Sequence, residues 1–147
     1  MLDEPFTGLD PLVRDELIQG LLDRAEESTI FISSHDLAEI ETFASHVAYL
    51  EEGKLRFSEE LTSLVNRFRE VELTFDSPPV LPREVPSSWL QLGSAAAAVR
   101  FTHCNFDTER TSAEVRATFG EPRHMNFSPM SLRSIFLVMA KSGRTSD

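Results

Sequence analysis

Asp3, Glu4, Asp10 and His35 are the residues of this chain whose types and spacing could do chemistry. Asp3 and Glu4 are adjacent acids. Pro5 then forces the chain out of an extended run, and Gly8 permits a tight turn. A carboxylate at the end of a buried strand can hold Mg²⁺, a hard cation that takes oxygen ligands and keeps several waters. The next residue projects differently and can reach a water attacking a terminal phosphate. Phosphoryl transfer needs positioning and charge neutralisation more than covalent help. His35 follows Asp3 by 32 positions, at the end of the next apolar run. In a parallel sheet those two ends share the edge where ligands bind, and an imidazole there can hydrogen-bond a terminal phosphate. Taken singly, an acid pair reads as solvated surface and a histidine in a turn as a surface residue. It is their agreement along one design that points to a hydrolytic site.

The elements needed to hold these residues are legible around them. Asp10-Pro11 is an N-cap followed by proline at N1 and predicts a helix over 11–25, with Leu17, Ile18, Leu21 and Leu22 as one buried face. Thr29 to Ile32 reads as a short strand buried on both faces. Ser33-Ser34-His35-Asp36 makes the turn at its end, and Asp36 with Glu39 predicts a capped helix to about Phe43. Val47–Leu50 and Lys54–Phe57 read as a hairpin around Glu51-Glu52-Gly53, followed by a short helix over 59–69. Alternating strands and helices predict α/β with a parallel sheet. Glu72–Phe75 is a further strand, after which Pro78, Pro79, Pro82 and Pro86 punctuate an irregular connector. Beyond it, strands at 97–101 and 125–127 and helices at 108–118 and from Ser131 predict a small α+β extension, with Phe101, Phe106, Phe119, Phe127 and Phe136 as core. The expected organisation is therefore 1–69 and 70–147.

Composition narrows the function classes. The 147 residues carry a formal charge of −10, and residues 1–70 hold 16 acids against 6 basic residues. No Lys/Arg stripe is present, so nucleic acid is a poor partner. Residues 1–30 lack the basic start of a signal peptide, and no apolar run approaches a membrane span. The single Cys104 excludes an intrachain disulfide, and His103-Cys104 is too sparse for a metal site.

The stretch Leu2-Asp3-Glu4-Pro5-Phe6-Thr7-Gly8-Leu9-Asp10-Pro11 resembles the end of the Walker B motif and the D-loop of an ABC transporter ATPase, and Ser33-Ser34-His35-Asp36 resembles its H-loop. Residues 46–64 are similar to the strand–turn–strand–helix with which such domains close. The resemblance covers roughly residues 1–65; the tail, ending in Pro129-Met130-Ser131-Leu132, is similar to the variable extensions of bacterial exporter-type members, less specifically. It implies a P-loop-NTPase-type sheet, here truncated, with ATP and Mg²⁺ as ligands. Asp3 would serve the metal shell, Glu4 would be the general base, His35 would contact the γ-phosphate, and Asp10 would act across a dimer interface. The implied partners are an integral-membrane permease and a second ATP-binding subunit, at the cytoplasmic face of the membrane.

The sequence also departs from that pattern. The sole Gly-Lys pair, Gly53-Lys54, has Ala48 and Leu55 where a phosphate-binding loop needs Gly and Ser/Thr. No two of the six glycines are adjacent, so a Leu-Ser-Gly-Gly-Gln signature is absent as well. Without the loop's backbone donors and lysine, Asp3 and Glu4 would meet ATP as uncompensated acids. The expectation is a C-terminal fragment, Met1 being an internal methionine, that neither binds nor hydrolyses MgATP alone and exposes an uncovered apolar face. The alternative is a non-catalytic interaction or regulatory module partnering another ATPase subunit. ABC-type ATPases of chromosome maintenance share the acidic motif, but their long coiled coils have no counterpart here.

Overall fold

Leu2 and Asp3 pair in parallel with Ile32 and Ser33, and the first part of the chain is arranged about this short ladder. The computed structural model describes residues 1–25 and 28–143. It contains two compact units, Met1–Ser45 and His46–Asp147.

The first unit holds β1 (Leu2–Asp3), α1 (Pro11–Ala25), β2 (Ile32–Ser33) and α2 (Leu37–Phe43). Pro5 ends β1, and Gly8 takes φ +77 in the turn that follows, a conformation glycine adopts without a steric penalty. Asp10 opens α1 by accepting from the backbone N–H groups of Leu12 and Val13 at 3.0 and 3.2 Å. Asp36 caps α2 through the Glu39 N–H. Phe6 is buried, edge-on to Phe43 at 5.6 Å. Arg14 Nε lies 2.8 Å from Glu39 Oε1, joining α1 to α2; the N–H is not aimed at the oxygen, so the contact is an ion pair rather than a hydrogen bond.

Two expectations fail here. The apolar face of α1 is only partly covered: the helix has no buried residue, Leu17, Ile18 and Leu21 are half-buried, and Leu22 is 40% exposed. Nor is the second strand buried on both faces. It is two residues long, and Phe31 beside it is 68% exposed. The reason is supply of partners. Among the described residues this unit has one pair of two-residue strands, too little surface to cover a helix of about four turns.

The second unit runs β3 (His46–Glu51), β4 (Lys54–Glu60), α3 (Leu61–Arg67), β5 (Arg69–Thr74), β6 (Trp89–Ala95), β7 (Ala98–His103), α4 (Thr108–Phe119), β8 (His124–Pro129) and α5 (Leu132–Gly143). β3 and β4 form the expected antiparallel hairpin, turning at Glu52 and Gly53 with positive φ. The other strands form an antiparallel sheet in the order β6-β7-β5-β8. Alternation sorts its faces. Val71, Leu73, Val99 and Phe101 point into a core with Trp89 and Val115, whereas Glu70, Glu72 and Arg100 face the other way, Arg100 pairing with both acids. Trp89 stacks on Phe101 at 4.2 Å. Phe101 is fully buried; Phe106, Phe119, Phe127 and Phe136 are half-buried.

The protein is thus a mixed α and β chain, in which, among the described residues, parallel pairing is confined to β1 and β2 and the larger sheet is antiparallel. The compact units divide at Ser45/His46, upstream of the expected boundary at 69/70. Side chains explain why: Tyr49 and Phe57 of the hairpin pack on Phe136 at 5.0 and 5.6 Å, and Arg67 binds Glu59 through two nitrogens and the Cys104 carbonyl through a third. α3 starts at Leu61 because Glu59 and Glu60 remain paired with Val47 and His46. β6 was not foreseen, since Gly93-Ser94-Ala95 has low strand propensity and a register shift between Leu90 and Gly93, with Gln91 at φ +55, breaks the alternation.

Candidate functional site

Parallel pairing carries β1 and β2 in one direction, so their C-terminal ends deliver Asp3-Glu4 and Ser33-Ser34-His35 to one edge. Glu4 leaves the strand with φ +45, a left-handed conformation that a non-glycine residue adopts at some cost. Its backbone N–H is shared between the carbonyl of Ser33 at 3.1 Å and the Ser33 hydroxyl at 3.0 Å. The same hydroxyl donates to the carboxylate of Asp3. Glu4 Oε2 accepts from the Thr7 hydroxyl at 3.3 Å and lies 2.8 Å from His35 Nδ1.

The His35 imidazole is 78% exposed and the Glu4 side chain 37%. The hydrogen bond from His35 to Glu4, and then the charge of that carboxylate, raise the imidazole above its ordinary 6.5, outweighing desolvation. With Nδ1–H given to Glu4, neutral His35 presents a lone pair at Nε2, which a phosphate oxygen would repel. Protonated, it presents a second donor there, so the pairing favours the form that can bind an anion.

Asp3, Glu4 and His35 are therefore brought together. Asp10 is not bonded to them; its carboxylate is occupied as the cap of α1. Among the described residues no three His, Cys, Asp or Glu side chains cluster to hold a metal ion. A single carboxylate such as Asp3 fits an ion like Mg²⁺, which keeps waters and takes substrate phosphates as ligands. Sequence reasoning passed over Thr7 and Ser33 as ligands of the acid pair. The Ser33 hydroxyl gave no signal of its own, because the register that sets it opposite Asp3 is a tertiary fact, whereas Thr7 lies three positions after Glu4 and its bond is a local one within the turn.

A second polar group lies in the larger unit. His103, 1% exposed, accepts the Asn105 N–H at Nδ1 and faces Glu114 Oε2 at 3.3 Å through Nε2; Trp89 Nε1 donates to the same oxygen at 3.2 Å. Burial lowers the His103 pKa, Glu114 opposing. Every polar atom of this ring system has a partner, and it ties β6 and β7 to α4.

No family model matches the chain. Individual proteins do. It is 35% identical over 75 residues to the thiamine import ATP-binding protein ThiQ of Vibrio vulnificus, covering 50% of this chain and 32% of that one. It is 30% identical over 141 residues to the ABC transporter ATP-binding protein YtrB of Bacillus subtilis, covering 94% of this chain and 47% of that protein. This chain is a relative of the ABC transporter ATP-binding subunits. A third such ABC relative, the energy-coupling factor transporter ATP-binding protein of Methanothermobacter thermautotrophicus, is 44% identical over 84 residues, covering 56% of this chain and 26% of that one. The similarity to the Bacillus ABC protein covers 94% of this chain and so takes in most of the tail as well as the first unit. The chain spans about a third to a half of the length of the ABC relatives ThiQ and YtrB. Among the described residues no helix is long and apolar enough to cross a membrane.

Proposed function

We propose that Asp3, Glu4 and His35 are the hydrolytic edge of an ABC-type ATPase, belonging to a subunit whose ATP hydrolysis drives an integral-membrane permease, of the exporter type. The observation that carries this reading is the Glu4–His35 contact at 2.8 Å beside Asp3, in a chain whose relatives are ABC ATP-binding subunits. Glu4 accepts the proton of the attacking water. His35, held at Nδ1 by Glu4, turns Nε2 to the γ-phosphate. Asp3 would hold Mg²⁺, which when bound supplies charge neutralisation at the phosphates. Asp10 reaches the site of a second ATP-binding subunit across the dimer. The assembly works at the cytoplasmic face of the membrane, through the permease.

These 147 residues contain no phosphate-binding loop and no signature sequence, so by themselves they bind MgATP negligibly: the acids at the edge are uncompensated. The division of labour is 1–69 as ATPase and 70–147 as a small extension. A second reading makes that extension a non-catalytic interaction or regulatory module for a partner ATPase, and is favoured by a core of its own around Val71, Leu73, Trp89, Val99, Phe101 and Val115.

Calorimetry of MgATP with residues 1–147 tests the first part; no binding in the micromolar range is expected. Joined behind the phosphate-binding half of a relative, the chain is expected to release phosphate, and Glu4→Gln to slow release by about 10²-fold or more, the usual contribution of a general base. Micromolar binding by the 147 residues, or unchanged release in Glu4→Gln, would overturn the reading.

A further inference from the structure

Ser33 sits at the centre of the acidic edge without belonging to the chemistry proposed for it. Its hydroxyl has one proton to give and gives it to the Asp3 carboxylate. It accepts the backbone N–H of Glu4 at 3.0 Å, in a bond shared with the Ser33 carbonyl at 3.1 Å. Both acids are thus fastened to one side chain on the neighbouring strand, in register with Asp3. Glu4 needs such a fastening. A non-glycine residue at φ +45 persists where its surroundings over-determine it, and an extended Glu4 would carry its carboxylate along the strand instead of across to His35.

We propose that Ser33 is a positioning residue of the hydrolytic edge: its hydroxyl orients the Asp3 carboxylate and holds the peptide between Asp3 and Glu4 in the left-handed turn that aims Glu4 at His35. The proposal rests on the hydrolytic reading of Asp3, Glu4 and His35 for its functional meaning, while its geometry stands apart from it. A hydroxyl at this position lets a strand terminus present two adjacent carboxylates in different directions. Asp3 is kept within the ladder and Glu4 is turned out of it.

The test compares Ser33→Thr with Ser33→Val in the 147-residue chain. These side chains share shape and strand preference and differ in the hydroxyl. The readouts are the pH titration of the His35 ring by NMR and the carbon shifts of Glu4, which report its backbone conformation. Ser33→Thr is expected to keep the raised His35 titration and the left-handed Glu4 shifts. Ser33→Val is expected to lose more than half of the elevation above 6.5 and to move Glu4 toward extended values, with the amide spectrum elsewhere unchanged. Should Ser33→Val not fold, Ser33→Cys, whose thiol is a weak hydrogen-bonding group, is read by the same criterion. A parental titration in the variant without the hydroxyl, or equal loss in Ser33→Thr, overturns the proposal. Neither result depends on hydrolysis. Unchanged phosphate release in Glu4→Gln would instead sink the hydrolytic reading and leave the Ser33 geometry standing.

Discussion

His35 Nδ1 stands 2.8 Å from Glu4 Oε2, although 31 positions separate the two residues. The contact exists because two strands run parallel and end together, so that a turn after each places an acid and an imidazole on one rim. It couples the charge of the two groups and sets the direction of each.

Glu4→Gln is expected to bring the His35 titration down toward 6.5, since the carboxylate supplies both leading causes of its elevation. The sign follows from linkage. A histidine whose folded pKa is raised contributes stability that is fully present below 6.5 and is lost as pH rises through the folded value, as long as Glu4 is ionised. NMR titration of the ring in both chains measures it; coincident curves would rule out the pairing in solution.

Asp10 offers a clean separation of two roles. Its carboxylate caps α1, so Asp10→Ala should destabilise the first unit by about 1 kcal/mol, the usual cost of losing such a cap. Asn caps about as well as Asp, so Asp10→Asn should retain that stability while removing the charge proposed to act across a dimer. Denaturant melts of the two variants decide the first point. Phosphate release by the chimaeric ATPase decides the second: a loss confined to stability in Asp10→Ala, with full activity in Asp10→Asn, would leave Asp10 a cap and nothing more.

The second unit should weaken in acid. His103 is buried and its folded pKa is lowered, chiefly by burial, with Glu114 and Arg110 the charged groups beside it. The stability linked to this group is present above 6.5 and is lost as pH falls through the lower folded value. Protonation would also place a proton on Nδ1, which now accepts the Asn105 N–H. Thermal melts between pH 8 and 4 should show this decline, and His103→Gln should flatten it; an identical slope in that variant would assign the decline to other groups.

Thr111 carries a different expectation. It is fully buried in α4, and its hydroxyl has no hydrogen-bond partner. Thr111→Val keeps the shape and removes the unsatisfied oxygen, so a gain of about 1 kcal/mol is expected, at the low end of the penalty for such a group. Chemical denaturation of the parent and variant measures it, and a loss of stability would show that the hydroxyl finds a partner in solution.

Much of this protein could be read from local residue order. Asp10-Pro11 opens a helix, Asp36 caps another, and Glu52-Gly53 turns a hairpin, because capping and turn chemistry depend on neighbours within a few positions. The acids and histidine that form the rim were equally plain, since their types and the strands before them are local facts. What neighbours do not specify is what lies across from a residue. The register that sets Ser33 against Asp3 and the packing of Tyr49 and Phe57 on Phe136 were decided by tertiary structure alone. Burial and strand pairing depend on which surfaces are available to meet, and a linear order of side chains does not contain that information.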